Sequence, residues 1–116
     1  MEQKYLIDTN SLIDAQIGKL PKNWLMFIVS FITYIEFFGY KNVTQANKDF
    51  IALATVIEID SAIINNCIEL RKTHHIKLPD AIIAATAIFE KLTIITNNEK
   101  DFENIQDVKF VNPYKL

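Results

Sequence analysis

Short β-branched runs alternate with helical patterns along the whole chain, and this alternation predicts βαβ units with a parallel sheet. Strands are expected at about residues 4–7, 26–29, 56–59, 93–96 and 108–111. Between them the spacing predicts helices at about residues 11–17, 32–40, 45–53, 61–73 and 79–91, with a helical turn around 100–104. A loop containing Pro21 falls at about 18–23. Asp60 or Ser61 is a plausible N-cap for the helix reaching Thr73. Pro79 suits the first position of the next helix, whose residues Ile82, Ile83, Ala84, Ala85, Ala87 and Ile88 are apolar nearly all round and predict burial.

The length of 116 residues predicts one domain, 1–116, with enough core to fold without staples. Half the residues are apolar and 22% are charged, which argues against disorder. Cys67 lies among Ile63, Ile64, Ile68 and Leu70 and reads as a small buried hydrophobe. One cysteine permits no disulfide within the chain, in keeping with a cytoplasmic location. The first residues carry no basic stretch leading into an apolar segment, because Asp8 interrupts it. The most apolar stretch, 24–35, has 12 uncharged residues, too few for a bilayer span of about 20.

Four acids stand where they could meet. Asp8 ends the first apolar run, Glu36 follows the second, Asp80 opens the alanine-rich helix and Asp101 comes just after the fourth. Ligands of open α/β sheets gather outside the carboxyl ends of the strands, so all four can converge there. Each acid also has a purely structural explanation. Asp8-Thr9-Asn10 reads as a strand-to-helix turn, and Thr33-x-x-Glu36 matches a capping box. Asp80 and Asp101 fit first turns of helices, where a carboxylate complements the dipole. None of these explains why the acids recur at strand ends. Clustered carboxylates repel unless a cation lies among them, and an all-oxygen set without cysteine suits Mg²⁺ or Mn²⁺.

The net charge of −2 is not that of a protein with a broad basic face for nucleic acid. Arg71, Lys72, His74, His75 and Lys77 form the only dense basic segment, immediately before Asp80. It reads either as a solvated helix end or as a set of phosphate contacts, with Arg71, Lys72 and Lys77 as the candidates. His74 and His75 make a poor zinc site, since adjacent side chains diverge and no cysteine or third histidine is near.

The segments Leu6 to Asn10, Ser30 to Gly39, Leu78 to Ala87 and Ile95 to Phe102, closing with Val111-Asn112-Pro113, together resemble the PIN domain, and most of all the compact VapC-type toxins of bacterial toxin–antitoxin pairs. The resemblance covers essentially the whole chain in order. It implies a three-layer α/β/α sandwich with a central parallel sheet of four to five strands and a Mg²⁺- or Mn²⁺-dependent endoribonuclease acting on RNA. It further implies that Asp8 and Asp80 hold the metal most directly and that Glu36 completes the site. Thr9, Asn10 and Thr96 would then orient carboxylates or water, with Asn98 as a further supporting polar position. Many relatives carry Asp where this chain has Asn98, while others place the acid at Asp101, which is taken here as the fourth ligand. A homodimer and a cognate antitoxin are the implied partners. Trp24, Phe27, Phe31, Tyr34, Phe37, Phe38 and Tyr40 offer aromatic surface for such contacts, or else serve as core.

Two other functions remain compatible with the residues. One is a catalytically inactive PIN-fold binding module. The other is an aspartyl-phosphate enzyme with Asp8 as nucleophile, which lacks a clear phosphate-gripping lysine and second acidic pair.

Overall fold

The computed structural model describes residues 4–16, 28–39 and 43–115. Five strands, β1 (Tyr5–Ile7), β2 (Ile28–Ser30), β3 (Thr55–Ile57), β4 (Thr93–Ile95) and β5 (Lys109–Val111), form one sheet in the order β3-β2-β1-β4-β5. Every pairing is parallel. The described helices are α1 (Thr9–Gln16), α2 (Phe31–Phe38), α3 (Gln45–Ile51), α4 (Ser61–Thr73), α5 (Leu78–Glu90) and α6 (Glu99–Phe102), with a 3₁₀ turn at Pro113–Lys115. The chain steps outward from β1 to β3, then returns to the other side of β1 with β4. This reversal opens a crevice between the carboxyl ends of β1 and β4.

Alternation along the central strands sorts the core onto two faces. Leu6 and Ile94 point to one face and their neighbours Ile7 and Ile95 to the other. On the first face Leu6 and Ile94 meet Ile83, Ala84 and Ala87 of α5 and Phe102 of α6. On the second, Ile7 and Ile95 meet Leu12 of α1, Phe37 of α2 and Ile51 of α3. A further layer forms where Ile63 and Cys67 of α4 pack on Ala81 and Ala85 of α5. Alanines on both sides of α5 let the helix lie close to the sheet and to α4 at once. The result is an α/β sandwich around a parallel sheet, as the sequence implies.

Element ends move by small amounts. β2 runs on to Ser30, and β3 sits one residue early and stops at Ile57. Helix α3 stops at Ile51 with Ala52 as its C-cap. Asp60 caps α4, its carboxylate accepting from the Ala62 N–H at 2.7 Å. Pro79 lies within the first turn of α5, which starts at Leu78, and Lys91 closes that helix at φ 58°. One reading is corrected. Thr33 and Glu36 do not form a capping box, because α2 begins directly at the end of β2 and its N-cap is Ser30, whose hydroxyl accepts from the Ile32 N–H at 3.2 Å. The capping box in this region is Thr44 with Asn47, at the start of α3. The loop expected at 18–23, the beginning of the second strand and Tyr40 at the expected end of α2 lie outside the described residues, as do Trp24 and Phe27. Among the described residues, no helix is long and apolar enough to cross a membrane.

Ala84 is fully buried between α5 and the sheet, so there is no room for a larger side chain. Ala84→Leu is expected to lower the unfolding free energy by about 1–3 kcal/mol through overpacking. Urea denaturation measures it, and an unchanged midpoint and slope would show that α5 is less closely packed than described.

Candidate active site

Asp8 is the first residue after β1, and the sheet carries it into the crevice. Its N–H donates to the Ile95 carbonyl at 3.1 Å, extending the β1–β4 pairing by one step. Its carbonyl accepts from the Leu12 N–H and one carboxylate oxygen accepts from the Ser11 N–H at 2.9 Å, so Asp8 also caps α1. The strand-to-helix turn is therefore real, but it does not exhaust the residue. A cap on a solvated helix end is normally exposed, whereas Asp8 is 5% exposed. Burial pushes its carboxyl above the usual range, hydrogen bonds from Thr96 and Ser11 oppose the rise, and Asp14 adds to it. The Ser11 hydroxyl, 1% exposed, faces the carboxylate without a hydrogen bond of full geometry.

Thr96 occupies the position beside Asp8 at the end of β4. It is fully buried, its hydroxyl donates to Asp8, and the same oxygen accepts from the Asn98 N–H at 3.0 Å. Asn98 is the N-cap residue of α6, yet its exposed side chain makes no capping bond. Asn10 is exposed on the first turn of α1.

Glu36 reaches the crevice from α2. Thr9 Oγ1 donates to Glu36 Oε1 at 2.6 Å, and Thr33 Oγ1 stands 3.2 Å from the same threonine oxygen. A threonine hydroxyl has one proton, and the short contact to the carboxylate takes it, leaving Thr33 to donate toward Thr9. Thr33 is fully buried and takes part in orienting Glu36. Sequence reasoning missed this role because it assigned Thr33 to a cap. The three-residue spacing that suggested the cap instead sets Thr33 and Glu36 on one side of α2.

Asp80 stands in the first turn of α5, half-buried. Its carboxyl is held well above the usual range, at about 6. Burial is the largest cause, followed by the negative charge of Asp101; Lys77 opposes them, and Asp8 and Glu36 add to the rise. The charges of all four expected acids therefore meet at Asp80. Asp101, on α6, is exposed to solvent. Glu99, on the same short helix, shows the contrast. It accepts from Lys115 at 2.5 Å and from Asn112 at 3.3 Å, and these bonds pull its carboxyl below the usual range. Among the described residues, no cationic side chain pairs in this way with Asp8, Glu36, Asp80 or Asp101.

The donor set fits a hard divalent ion in composition: carboxylates, hydroxyls and an amide, with negative charge that Lys77 offsets only in part. Among the described residues, no three acids stand close enough to enclose a metal. Mg²⁺ does not require such a cage, since it is commonly held through one or two carboxylates together with water and substrate phosphates.

Beside the acids, a groove of about 650 Å³ is bounded by the end of α4, the α4–α5 connection and α6. Arg71, Lys77 and Lys100 line it together with Asp80 and Asp101. Lys72 does not line it and pairs with Glu69 at 3.5 Å on the exposed side of α4. Of the expected aromatic surface, Phe37 is core, Phe31 and Phe38 are half-buried, and Tyr34 is exposed with its ring centroid 4.8 Å from that of Phe38.

A parallel sandwich with oxygen donors at its strand-order reversal defines a class of α/β proteins that act on ligands at that crevice. Comparison with known proteins narrows the class. Residues 5–108 match the PIN domain model. A toxin-antitoxin complex from Klebsiella pneumoniae is similar at 35% identity over 97% of this chain and 100% of that one, with a TM-score of 0.76. VapBC2 from Rickettsia felis, bound to a DNA fragment from its promoter, is similar at 26% identity over 95% and 98% of the two chains, with a TM-score of 0.79. VapBC-1 from nontypeable Haemophilus influenzae, at 24% identity over 97% and 99%, shares the fold with a TM-score of 0.77. No curated protein gives a significant match. The chain belongs to the PIN domain family, and these similar solved structures are toxin–antitoxin complexes.

A carboxyl whose affinity for protons is higher folded than unfolded stabilises the fold below its unfolded value, and that contribution is lost as pH rises through the folded one. For Asp80 the window runs from 3.8 to about 6. Without divalent ions, Asp80→Asn is expected to raise the melting temperature at pH 7.5 relative to wild type, with a smaller effect at pH 4.5. Carbon-detected NMR should show the Asp80 carboxyl titrating near pH 6 and moving down in Asp101→Asn. Titration near pH 4 in both proteins would mean that the acids do not share a field.

Proposed function

We propose that residues 1–116 act as a single-domain, Mg²⁺- or Mn²⁺-dependent endoribonuclease and as the toxin of a cytoplasmic toxin–antitoxin module. The observation that supports this reading most is that Asp8, Glu36 and Asp101, from separated segments, each raise the proton affinity of Asp80, while Asp8 itself stands at the sheet's reversal point. Membership of the PIN domain family and the similarity to toxin–antitoxin complexes support it. Asp8 and Asp80 are the principal ligands for the ion, with Glu36 and Asp101 completing the set. The ion would supply positive charge to the phosphate oxygens and lower the proton affinity of water.

The chain's own groups account for the rest. Glu36, oriented by Thr9, accepts a proton from the water that attacks phosphorus, while Thr96 and the Ser11 N–H keep the Asp8 carboxylate turned toward the crevice. Asn10 and Asn98, exposed at the rim, offer polar contacts to water or substrate. Arg71 and Lys77 provide phosphate contacts in the adjoining groove. A cognate antitoxin and a second copy of the chain are the proposed protein partners, the exposed Tyr34 and Ile35 of α2 being surface available to them. A second reading, an inactive binding module, is favoured by one fact: no three described acids form a ready metal cage.

Purified protein should cleave RNA with Mn²⁺ or Mg²⁺ and stop when EDTA is added. Asp80→Asn should abolish cleavage, and Glu36→Gln should slow it by about 10²–10⁴-fold. Induced expression should arrest growth, and Asp8→Ala should relieve the arrest. Arrest that survives Asp8→Ala, with no cleavage of RNA by the pure protein, would favour the binding module.

A further inference from the structure

Buried hydroxyls elsewhere in this chain have partners. Ser30 accepts from the Ile32 N–H at 3.2 Å, and Thr86 donates to the Ile82 carbonyl at 2.7 Å. Thr96 donates to Asp8 and accepts from the Asn98 N–H at 3.0 Å. Ser11 breaks the pattern. Among the described residues, its Oγ is the buried side-chain oxygen left without a hydrogen bond, although the residue is 1% exposed. An unpaired buried hydroxyl is costly, and such groups are rare in folded proteins.

Ser11 stands in the first turn of α1, and its N–H donates to Asp8 Oδ1 at 2.9 Å. That bond holds the residue against the carboxylate. The hydroxyl lies near enough to lower the affinity of Asp8 for protons, without the geometry of a full hydrogen bond. A serine hydroxyl has one proton and two lone pairs. A carboxylate uses only the proton, so the lone pairs need a donor. The other side chains that act on Asp8 offer none: Asp14 is a carboxylate, and the single proton of Thr96 already goes to Asp8. Water bound to a divalent cation is a strong donor, because the ion draws charge from its oxygen. Mg²⁺ keeps several of its waters when it binds to carboxylates. Side chains that hydrogen-bond to a metal's inner partners from outside fix where those partners stand.

We propose that Ser11 is a positioning residue whose hydroxyl oxygen takes a hydrogen bond from a water bound to the divalent ion at Asp8, fixing that water beside the carboxylate. The proposal rests on the metal-dependent ribonuclease reading and adds to its acids a neutral group that holds the ion's water.

Electron paramagnetic resonance of free Mn²⁺ measures ion affinity without RNA. Ser11→Ala and Ser11→Cys, the second filling the space with a weak acceptor, should each bind Mn²⁺ about tenfold more weakly than wild type. Their melting temperatures in EDTA should be no lower than that of wild type, because the protein makes no full hydrogen bond through this oxygen. Oxygen-17 relaxation of the Mn²⁺ complexes should show bound water exchanging about two- to tenfold faster in Ser11→Ala, as loss of one hydrogen bond implies. A purely structural role for the hydroxyl would not move that exchange rate. Wild-type Mn²⁺ affinity and water exchange in both variants would overturn the assignment. So would lower melting temperatures in EDTA, which would make the hydroxyl a structural partner of Asp8. A parallel cleavage assay on the wild type separates the two readings. Mn²⁺ binding and RNA cleavage by the wild type, with unaffected Ser11 variants, remove only the role of Ser11, whereas a wild type that neither binds Mn²⁺ nor cleaves RNA removes the ribonuclease reading as well.

Discussion

Parallel pairing of β1 with β4 is the constraint on which the site depends. Leu6 stands opposite Ile94 and Ile7 opposite Ile95, so the next residues, Asp8 and Thr96, arrive side by side at the sheet's edge. A slip of one residue would exchange the two faces of β1, sending Leu6 and Ile7 to the wrong clusters. The hydrophobic core therefore fixes the register, and the register fixes where the carboxylate appears. Two helices complete the arrangement from either side. Helix α2 brings Glu36 to Thr9 across the second face, and α5, pressed against the sheet by its alanines, brings Asp80 across the first.

Gathering these acids works against the fold. Asp8 is buried and Asp80 feels three other carboxylates, so both hold their protons more tightly than an isolated aspartate. The chain neutralises acids where structure alone is at stake, as Lys115 and Asn112 do for Glu99. At the crevice no described lysine or arginine forms an ion pair with them, and Lys77 offsets the charge at Asp80 only in part. Negative charge that is offset only in part at a strand-order reversal suits a positive ligand, and perturbed carboxyls of this kind concentrate at functional sites.

Much of this was legible before any coordinates. The alternation of β-branched runs with helical spacing located all five strands within about two residues, and the apolar circumference of 82–88 announced a helix covered on both sides. Asp8 was legible because a polar residue ends an apolar run, a pattern that strand periodicity makes conspicuous. Glu36 was harder. The same four residues, Thr33 to Glu36, satisfy a local capping rule and a long-range contact, and only the start of α2 at Phe31 decides between them. Local rules weigh near neighbours, whereas the partner of Glu36 is Thr9, 27 positions away. Lys100 escaped notice for a similar reason. It has no basic neighbours in the sequence, and it joins Arg71 and Lys77 only because the fold brings α6 to the same groove as the end of α4. The inclusion of Lys72 with them reflects composition alone, since a helix turns adjacent residues in different directions.

The central claim is that one divalent ion senses Asp8, Glu36 and Asp80 together. Paramagnetic broadening by substoichiometric Mn²⁺ in the amide NMR spectrum of isotope-labelled protein tests it most directly. Signals of residues 8–11, of Glu36 and of residues 80–82 should disappear at the same low Mn²⁺ concentration, ahead of the exposed acids Asp49 on α3 and Glu90 at the end of α5. Broadening that begins at those exposed acids, or that reaches Asp8 and Asp80 at clearly different concentrations, would contradict a shared site.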